Sequence, residues 1–172
     1  MKQLKTLSVI IPTFNEIFLL RKCLTSLEKQ SIKPLQIIIV DNGSTDNTKE
    51  IIKKNFPHVN LIVLDKNYGF AKACNVGIND ANTEIVAILN NDAFPKADWI
   101  KNILMAEQIY PEFSVFASKI LTFTNPSIID SVGDSITQEL RVKHRGEGET
   151  DHGQYDKDEA VFLIPATAAA YR

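Results

Sequence analysis

Leu35-Gln36-Ile37-Ile38-Ile39-Val40-Asp41 is the stretch on which the fold turns. Its Ile-Ile-Ile-Val run lacks the apolar–polar alternation of a half-buried strand, as expected for a central strand covered on both faces. Parallel strands of that kind need crossover connections, usually helices, and the flanking sequence has the right pattern for them. Upstream, Leu7 to Ile11 reads as a first strand closed by Pro12. Ile17, Leu20, Leu24 and Leu27 then recur at the spacing of a helix of roughly three turns, giving it one apolar stripe. Downstream, Asn42-Gly43-Ser44-Thr45-Asp46 is turn chemistry that offers caps to a helix carrying Ile51 and Ile52. Val59 to Leu64 gives a third strand, and Gly69 opens a helix through Phe70, Ala73, Cys74 and Ile78. Ile85 to Leu89 is a fourth strand. Pro95 leads into a helix with Trp99, Ile100, Ile103 and Leu104 on its apolar face, and Ser114 to Leu121 reads as a fifth strand. This alternation predicts an α/β fold, a three-layer α/β/α sandwich around a mostly parallel sheet. From Thr122 to Asp158 the pattern weakens into polar, Gly-containing sequence, read as a hairpin or ordered loop over one end of the sheet. Val161 to Ile164 reads as a last strand before the small residues Ala166 to Ala170.

Composition bounds the rest. With 172 residues, 44% apolar and 23% charged, the chain is expected to be one globular domain spanning 1–172. Nineteen basic and 21 acidic side chains leave a net charge of -2, so no whole-molecule field draws in nucleic acid, and any anionic ligand must be held locally. Cys23 and Cys74 form no C-x-x-C pair and no secreted framework. They read as buried small apolar residues in a reduced, cytoplasmic setting. No apolar run approaches the length of about eighteen residues that a membrane-spanning helix needs, and the amino terminus lacks a signal-peptide pattern. His58, His144 and His152 share no ligand spacing, and Gly146, Gly148 and Gly153 miss the dinucleotide spacing. Asp41 to Asp46 lacks the glycine and distal glutamate of a calcium loop. Lys2, Lys5, Lys53 and Lys54 read as parts of solvated faces.

In an open parallel α/β sheet, ligands bind outside the carboxyl ends of the strands. Pro12-Thr13-Phe14-Asn15-Glu16, Asp41, Lys66-Asn67-Tyr68-Gly69 and Asn90-Asn91-Asp92 each follow a different expected strand, so they would meet at one crevice. Any one of them alone reads as a cap or a turn. Four together point to a site.

These four motifs, in the order Val9 to Asn15, Val40 to Asp46, Asn67 to Phe70 with Asn75 and Gly77, and Leu89 to Asp92, resemble the inverting family 2 glycosyltransferases of the Rossmann-like nucleotide-diphospho-sugar transferase fold (GT-A type). The resemblance covers nearly the whole chain. Asn67-Tyr68-Gly69-Phe70-Ala71 with Asn90-Asn91-Asp92 is similar to the rhamnosyltransferase-like branch. The resemblance implies transfer of a sugar from a nucleoside diphosphate, dTDP or UDP, to a glycan or lipid-linked acceptor in bacterial surface polysaccharide synthesis. It implies a setting at the inner face of the plasma membrane, with peripheral association. It places Pro12, Thr13, Phe14 and Glu16 beside the nucleoside, gives Asp41 a base N–H, lets Asn67 and Gly69 shape the floor, and adds Asn90 and Asn91 to the nucleotide-sugar site. The metal motif, usually Asp-x-Asp, stands here as Asn90-Asn91-Asp92, which leaves Asp92 as the ligand of a divalent Mg or Mn. The family's catalytic base follows the segment matching Ala166 to Tyr171, so it is expected beyond Arg172 and no catalytic residue is identified within the chain. Asp130, Asp134, Asp156, Asp158 and Glu159 read as turn and surface acids. The rival readings are a non-catalytic nucleotide-sugar-binding module and a sugar nucleotidyltransferase. The latter would carry a Gly-rich, basic amino-terminal loop, and Pro12 to Glu16 is not one.

Overall fold

The computed structural model describes residues 5–137 and 139–172. Lys2 lies outside the described residues. The chain forms two compact units, one of residues up to Phe116 together with Ala170–Arg172, the other Ala117–Ala169.

The first unit is built on a six-stranded sheet in the order β3-β2-β1-β4-β10-β5. Strand β1 is Leu7–Thr13, β2 Gln36–Asp41, β3 Asn60–Val63, β4 Ile85–Leu89, β5 Val115–Ala117 and β10 Ala168–Tyr171. β1 pairs parallel with β2 and β4, and β2 pairs parallel with β3, as the unalternating apolar run requires. Val9, Ile10 and Ile11 of β1 and Ile38, Ile39 and Val40 of β2 are all fully buried. Successive strand residues point to opposite faces, so both faces of this central pair are covered. On one face α3 (Phe70–Asp80) sets Ala73 against Ile10, Ile38 and Val40. Helix α1 (Ile17–Glu28) buries its apolar stripe of Ile17, Leu20, Cys23, Leu24 and Leu27. Helices α2 (Thr48–Asn55) and α4 (Trp99–Ile109) complete the unit. In α4, Trp99, Ile100, Ile103 and Leu104 are buried as their spacing predicts.

β1 does not close at Pro12. It runs to Thr13, with Pro12 level with Val40 of β2. Its pairing with β4 ends at Ile10, so beyond that point β1 has an open side on which a residue without an N–H is tolerated. Lys5 is not simply solvated: its ammonium lies 2.6 Å from Glu107, which also receives Arg172 at 3.0 Å. The Lys5 contact first, and Arg172 after it, hold the Glu107 carboxyl below its ordinary range, against the opposing effect of burial.

Ser114 to Leu121 divides. Val115–Ala117 joins the main sheet, whereas β6 (Ile120–Leu121) pairs antiparallel with β7 (Ile129–Ser131). At the break, Lys119 turns to a salt bridge with Asp151 and Asp156. The expected hairpin exists as β8 (Asp134–Ile136) against β9 (Val142–His144). Val161 to Ile164 is not a strand and contributes one isolated bridge, Leu163 to Asp134. The strand forms instead at Ala168–Tyr171, whose three alanines are buried. Alanine has little intrinsic preference for strands, so burial decides here and propensity does not.

Candidate functional site

Strand order reverses at β1, which has β2 on one side and β4 on the other. At such a switch point successive connections leave in opposite directions and open a crevice at the carboxyl ends. The four polar segments converge there and are joined by hydrogen bonds. Asn91 Nδ2 donates to Thr13 Oγ1 at 3.0 Å, tying the end of β4 to the end of β1. Asn15 adopts a left-handed φ of 54°, a conformation asparagine tolerates better than most residues. Its backbone N–H donates to Ser44 Oγ at 2.9 Å, and its Oδ1 accepts from the Thr45 N–H at 2.7 Å.

Asn42 is the centre of this network. It is only 5% exposed. Its Nδ2 donates to Asn67 Oδ1 at 2.9 Å and the Gly69 carbonyl at 3.2 Å, and its Oδ1 accepts from the Tyr68 N–H at 2.9 Å. Its own N–H donates to the Thr13 carbonyl. One buried amide thus joins β1, β2 and the loop after β3. Gly43 explains how closely these loops approach: at φ +79°, its missing Cβ would lie 2.5 Å from the Lys66 Cα.

The expected site residues fall into two groups. Pro12, Thr13 and Asp41 are buried at the strand ends, and Asp41 Oδ1 accepts the Ser44 N–H at 2.9 Å. A carboxylate has about four lone-pair sites, so this turn bond leaves Asp41 capacity for another donor. Asn67 also accepts the Gly69 N–H, and Gly69 heads α3 at φ +83° with open space where a side chain would sit. The second group is exposed: Phe14, Glu16 and Asp92 have no partner within the network. In the loop after β3 the Tyr68 hydroxyl is held above its ordinary range, first by its hydrogen bond with Asp65, and Lys66 Nζ lies 5.1 Å from the Tyr68 ring centre. Sequence reasoning assigned no site role to Asn15, Asn42, Ser44 or Thr45, because each reads as an ordinary turn residue. The clue available was that Asn42 directly follows a fully buried strand.

The donor set around Asp92 suits a hard cation only in part. No three His, Cys, Asp or Glu side chains gather as a metal group among the described residues. Asp92 is an exposed carboxylate, and Asn90 Oδ1 is a buried acceptor without a hydrogen-bond partner. Two oxygen donors are too few for a protein-only cage but enough for a cation shared with phosphates. Cys23 does not join them: its thiol donates to the Asn90 carbonyl at 3.8 Å, and burial, then the Asp92 charge, pushes it up to about 12.

Fold and crevice define a GT-A type domain. A solved relative in fold is the mannosyltransferase PcManGT from Pyrobaculum calidifontis, in complex with GDP-Man and Mn2+. It matches with a TM-score of 0.59 at 27% identity, over 70% of this chain and 37% of that one. The chain belongs to glycosyl transferase family 2, whose model matches residues 8–149. Among curated relatives, the glycosyltransferase AglE of Haloferax volcanii is 29% identical over 143 residues, 73% of this chain and 47% of AglE. The GalNAc(5)-diNAcBac-PP-undecaprenol beta-1,3-glucosyltransferase of Campylobacter jejuni is 37% identical over 91 residues, 50% of this chain and 29% of that protein. The chain therefore spans less than half the length of these relatives.

Proposed function

We propose that this chain is the donor-binding part of an inverting glycosyltransferase that moves a sugar from a nucleoside diphosphate to an acceptor hydroxyl. The observation carrying the proposal is the convergence of four strand-end segments at the switch point, joined through Asn42, Asn15 and the Asn91–Thr13 bond. Pro12, Thr13, Phe14 and Glu16 would border the nucleoside. Asp41 would accept a base N–H beside the bond it makes to Ser44, and with Asp41 only 1% exposed that contact would form in a low dielectric, where hydrogen bonds are strong. Asn67 and the open space at Gly69 would form the floor. The resemblance of Asn67 to Ala71 and Asn90 to Asp92 to the rhamnosyltransferase branch supports a deoxythymidine diphosphate sugar, with UDP as the other candidate nucleotide.

Asp92 and Asn90 Oδ1 would hold a Mg or Mn ion together with the donor's phosphate oxygens. A bound cation supplies charge neutralisation for the departing diphosphate. The undecaprenol-linked substrate named for the Campylobacter relative supports a lipid-linked acceptor, and with it action at the inner face of the plasma membrane. No helix among the described residues is long and apolar enough to cross a membrane.

The test is thermal shift with dTDP-, UDP- and GDP-sugars, with and without manganese. One of them should stabilise the chain by about 2.7 kcal/mol at a hundred times its dissociation constant. Asp92→Ala should remove the manganese dependence while the fold persists. Failure of every nucleotide sugar to bind would sink the proposal, and unchanged manganese dependence in Asp92→Ala would remove that residue as the ligand. Binding without transfer to any acceptor would favour a non-catalytic module.

A further inference from the structure

An open groove of about 780 Å³ runs along the outer face of α1, between the helix and the segment Pro95–Ala97. Its lining includes Phe18, Arg21, Lys22, Lys29 and Lys96, and no acidic residue. In a chain of net charge -2 this is a concentrated local reversal of sign. Among the described residues Arg21, Lys29 and Lys96 make no ion pair. Phe18 is 79% exposed, so its ring is open to a partner.

The groove is firmly built. Gln30, 3% exposed, donates to the Lys96 carbonyl at 2.7 Å and accepts the Ile100 N–H at 3.0 Å. Ser31 donates its N–H to the Ala97 carbonyl at 2.7 Å and its hydroxyl to Asp98 at 2.6 Å. The end of α1 is thus stapled to the loop and to the start of α4. The apolar stripe of α1 is buried, so the helix cannot turn over to insert it. Along the groove it offers Arg21 and Lys22, with Lys29 at its end and the Phe18 ring beside them.

We infer that this face docks on an anionic lipid surface. Arg21 lies in the first turns of α1 and Lys29 directly follows its last residue, a separation of about 12 Å along the helix axis. That separation spreads the cations over several headgroups and does not converge them on a single phosphate. Basic side chains with an aromatic neighbour match the interfacial pattern, in which charge attracts and the ring enters the headgroup boundary. The inference rests on the proposed lipid-linked acceptor only for its purpose, since docking would hold the donor crevice beside such a substrate.

The experiment is co-sedimentation of the chain with vesicles of phosphatidylcholine alone or with one third phosphatidylglycerol. Binding should require the anionic lipid and fall steeply between 0.05 and 0.5 M salt, roughly as a handful of cations demands. The triple reversal Arg21→Glu, Lys29→Glu, Lys96→Glu should weaken it by at least about a hundredfold, at about fivefold per neutralised cation. Phe18→Ser should weaken it about tenfold. Equal binding to neutral vesicles, no binding to anionic ones, or full binding by the triple variant would each overturn the inference. So would saturable binding of inorganic pyrophosphate that the same reversal removes while vesicle binding is absent, since the face would then be a small-anion site. Nucleotide-sugar thermal shift on the same proteins separates the two claims. The triple variant should keep wild-type donor binding and melting temperature, whereas loss of donor binding by the parent chain would strike the proposed function and leave vesicle docking standing.

Discussion

The unit ending at Phe116 and the unit Ala117–Ala169 are held together by different means. In the first, Ile10, Ile11, Leu20, Leu24, Leu27, Ile38, Ile39, Ile52, Ile85, Leu89 and Ile100 are all but excluded from solvent, each such side chain contributing about 1.5–3 kcal/mol by burial. In the second, apart from the β10 alanines already counted in the sheet, the buried apolar residue among the described ones is Ile129, accompanied by buried Ser131 and Asp134. Its cohesion comes from contacts of another kind: Lys119 with Asp151 and Asp156, Arg145 with Glu159, His144 with Asp134, and the Arg145 guanidinium 4.9 Å from the Tyr155 ring centre. Gly133, Gly146, Gly148 and Gly153 all turn the chain at positive φ. Each of these ion pairs keeps at least one partner 24% or more exposed, and solvent-accessible pairs are worth little, roughly 0–1 kcal/mol each. Single substitutions in the first unit should therefore have large effects, and changes to the polar contacts of the second should have small ones.

The largest effect is expected at Gly43. Alanine there meets the left-handed backbone at φ +79° and the Lys66 Cα at 2.5 Å. Strain of about 1–2 kcal/mol and overpacking of about 1–3 kcal/mol add to roughly 2–5 kcal/mol, since the clash is with backbone that no rotamer change can relieve. Chemical denaturation would measure the loss, and nucleotide affinity should fall with it as the Asn42–Asn67 bond opens. A loss below 1 kcal/mol would mean that the loop after β3 yields freely and that the site is less rigid than the first unit's core.

This position also marks the limit of what could be read from sequence. The unalternating Ile37–Val40 run was enough to place a covered parallel strand, and the helical stripes of α1 and α4 are buried residue for residue. Those signals are periodic and local. The crevice was legible as a set of strand-end polar segments, but its internal wiring was not. Asn42, Asn15, Ser44 and Thr45 are turn residues whose partners lie 25 to 30 positions away in the chain, and no spacing rule reaches that far. The second unit was least legible because a few apolar residues in short strands carry almost no period. For the same reason the sequence points to a final strand at Val161 to Ile164, whereas the buried alanines supply it.

Gly77 should give the next effect in size. It lies in α3 where a Cβ would come within 2.4 Å of Ile10 Cγ2 and 3.1 Å of Val40 Cγ2. Alanine would gain about 1 kcal/mol in helix preference, yet Ile10 is fully buried and β-branched, with little freedom to turn away. The helix must therefore shift, and with that gain subtracted from an overpacking cost of about 1–3 kcal/mol, Gly77→Ala should destabilise by a net of up to about 2 kcal/mol. Gly77→Ala combined with Ile10→Val removes part of the obstruction only if the lost methyl is the one that clashes. Since valine keeps both Cβ branches, the double variant should not recover. Recovery in denaturation midpoint would show that the pressure falls on the Ile10 Cδ1 at 3.4 Å instead.

The smallest effect belongs to the second unit and depends on pH. His144 Nδ1 lies 2.6 Å from Asp134 Oδ1. That hydrogen bond first, with the charges of Asp134, Glu147 and Asp130 behind it, raises the imidazole above its ordinary 6.5 against an opposing desolvation. A raised pKa means that the folded hairpin favours the protonated ring. The contribution is complete below pH 6.5, where the unfolded chain is protonated too, and it fades as pH rises through the higher folded value. His144 is 46% exposed in its side chain, so solvent screening should hold the stabilisation to roughly a few tenths of a kcal/mol. Hydrogen exchange at the Arg145 amide, which donates to the Gly133 carbonyl beside the hairpin, should register slightly stronger protection at pH 6 than at pH 8 once intrinsic rates are removed. His144→Phe keeps a flat ring and abolishes the titration, so its protection should be flat across that range. A pH dependence that survives in His144→Phe would assign it to the surrounding acids, and one exceeding about 2 kcal/mol would break the contrast between the units, because the polar contacts would then carry weight comparable to a buried side chain.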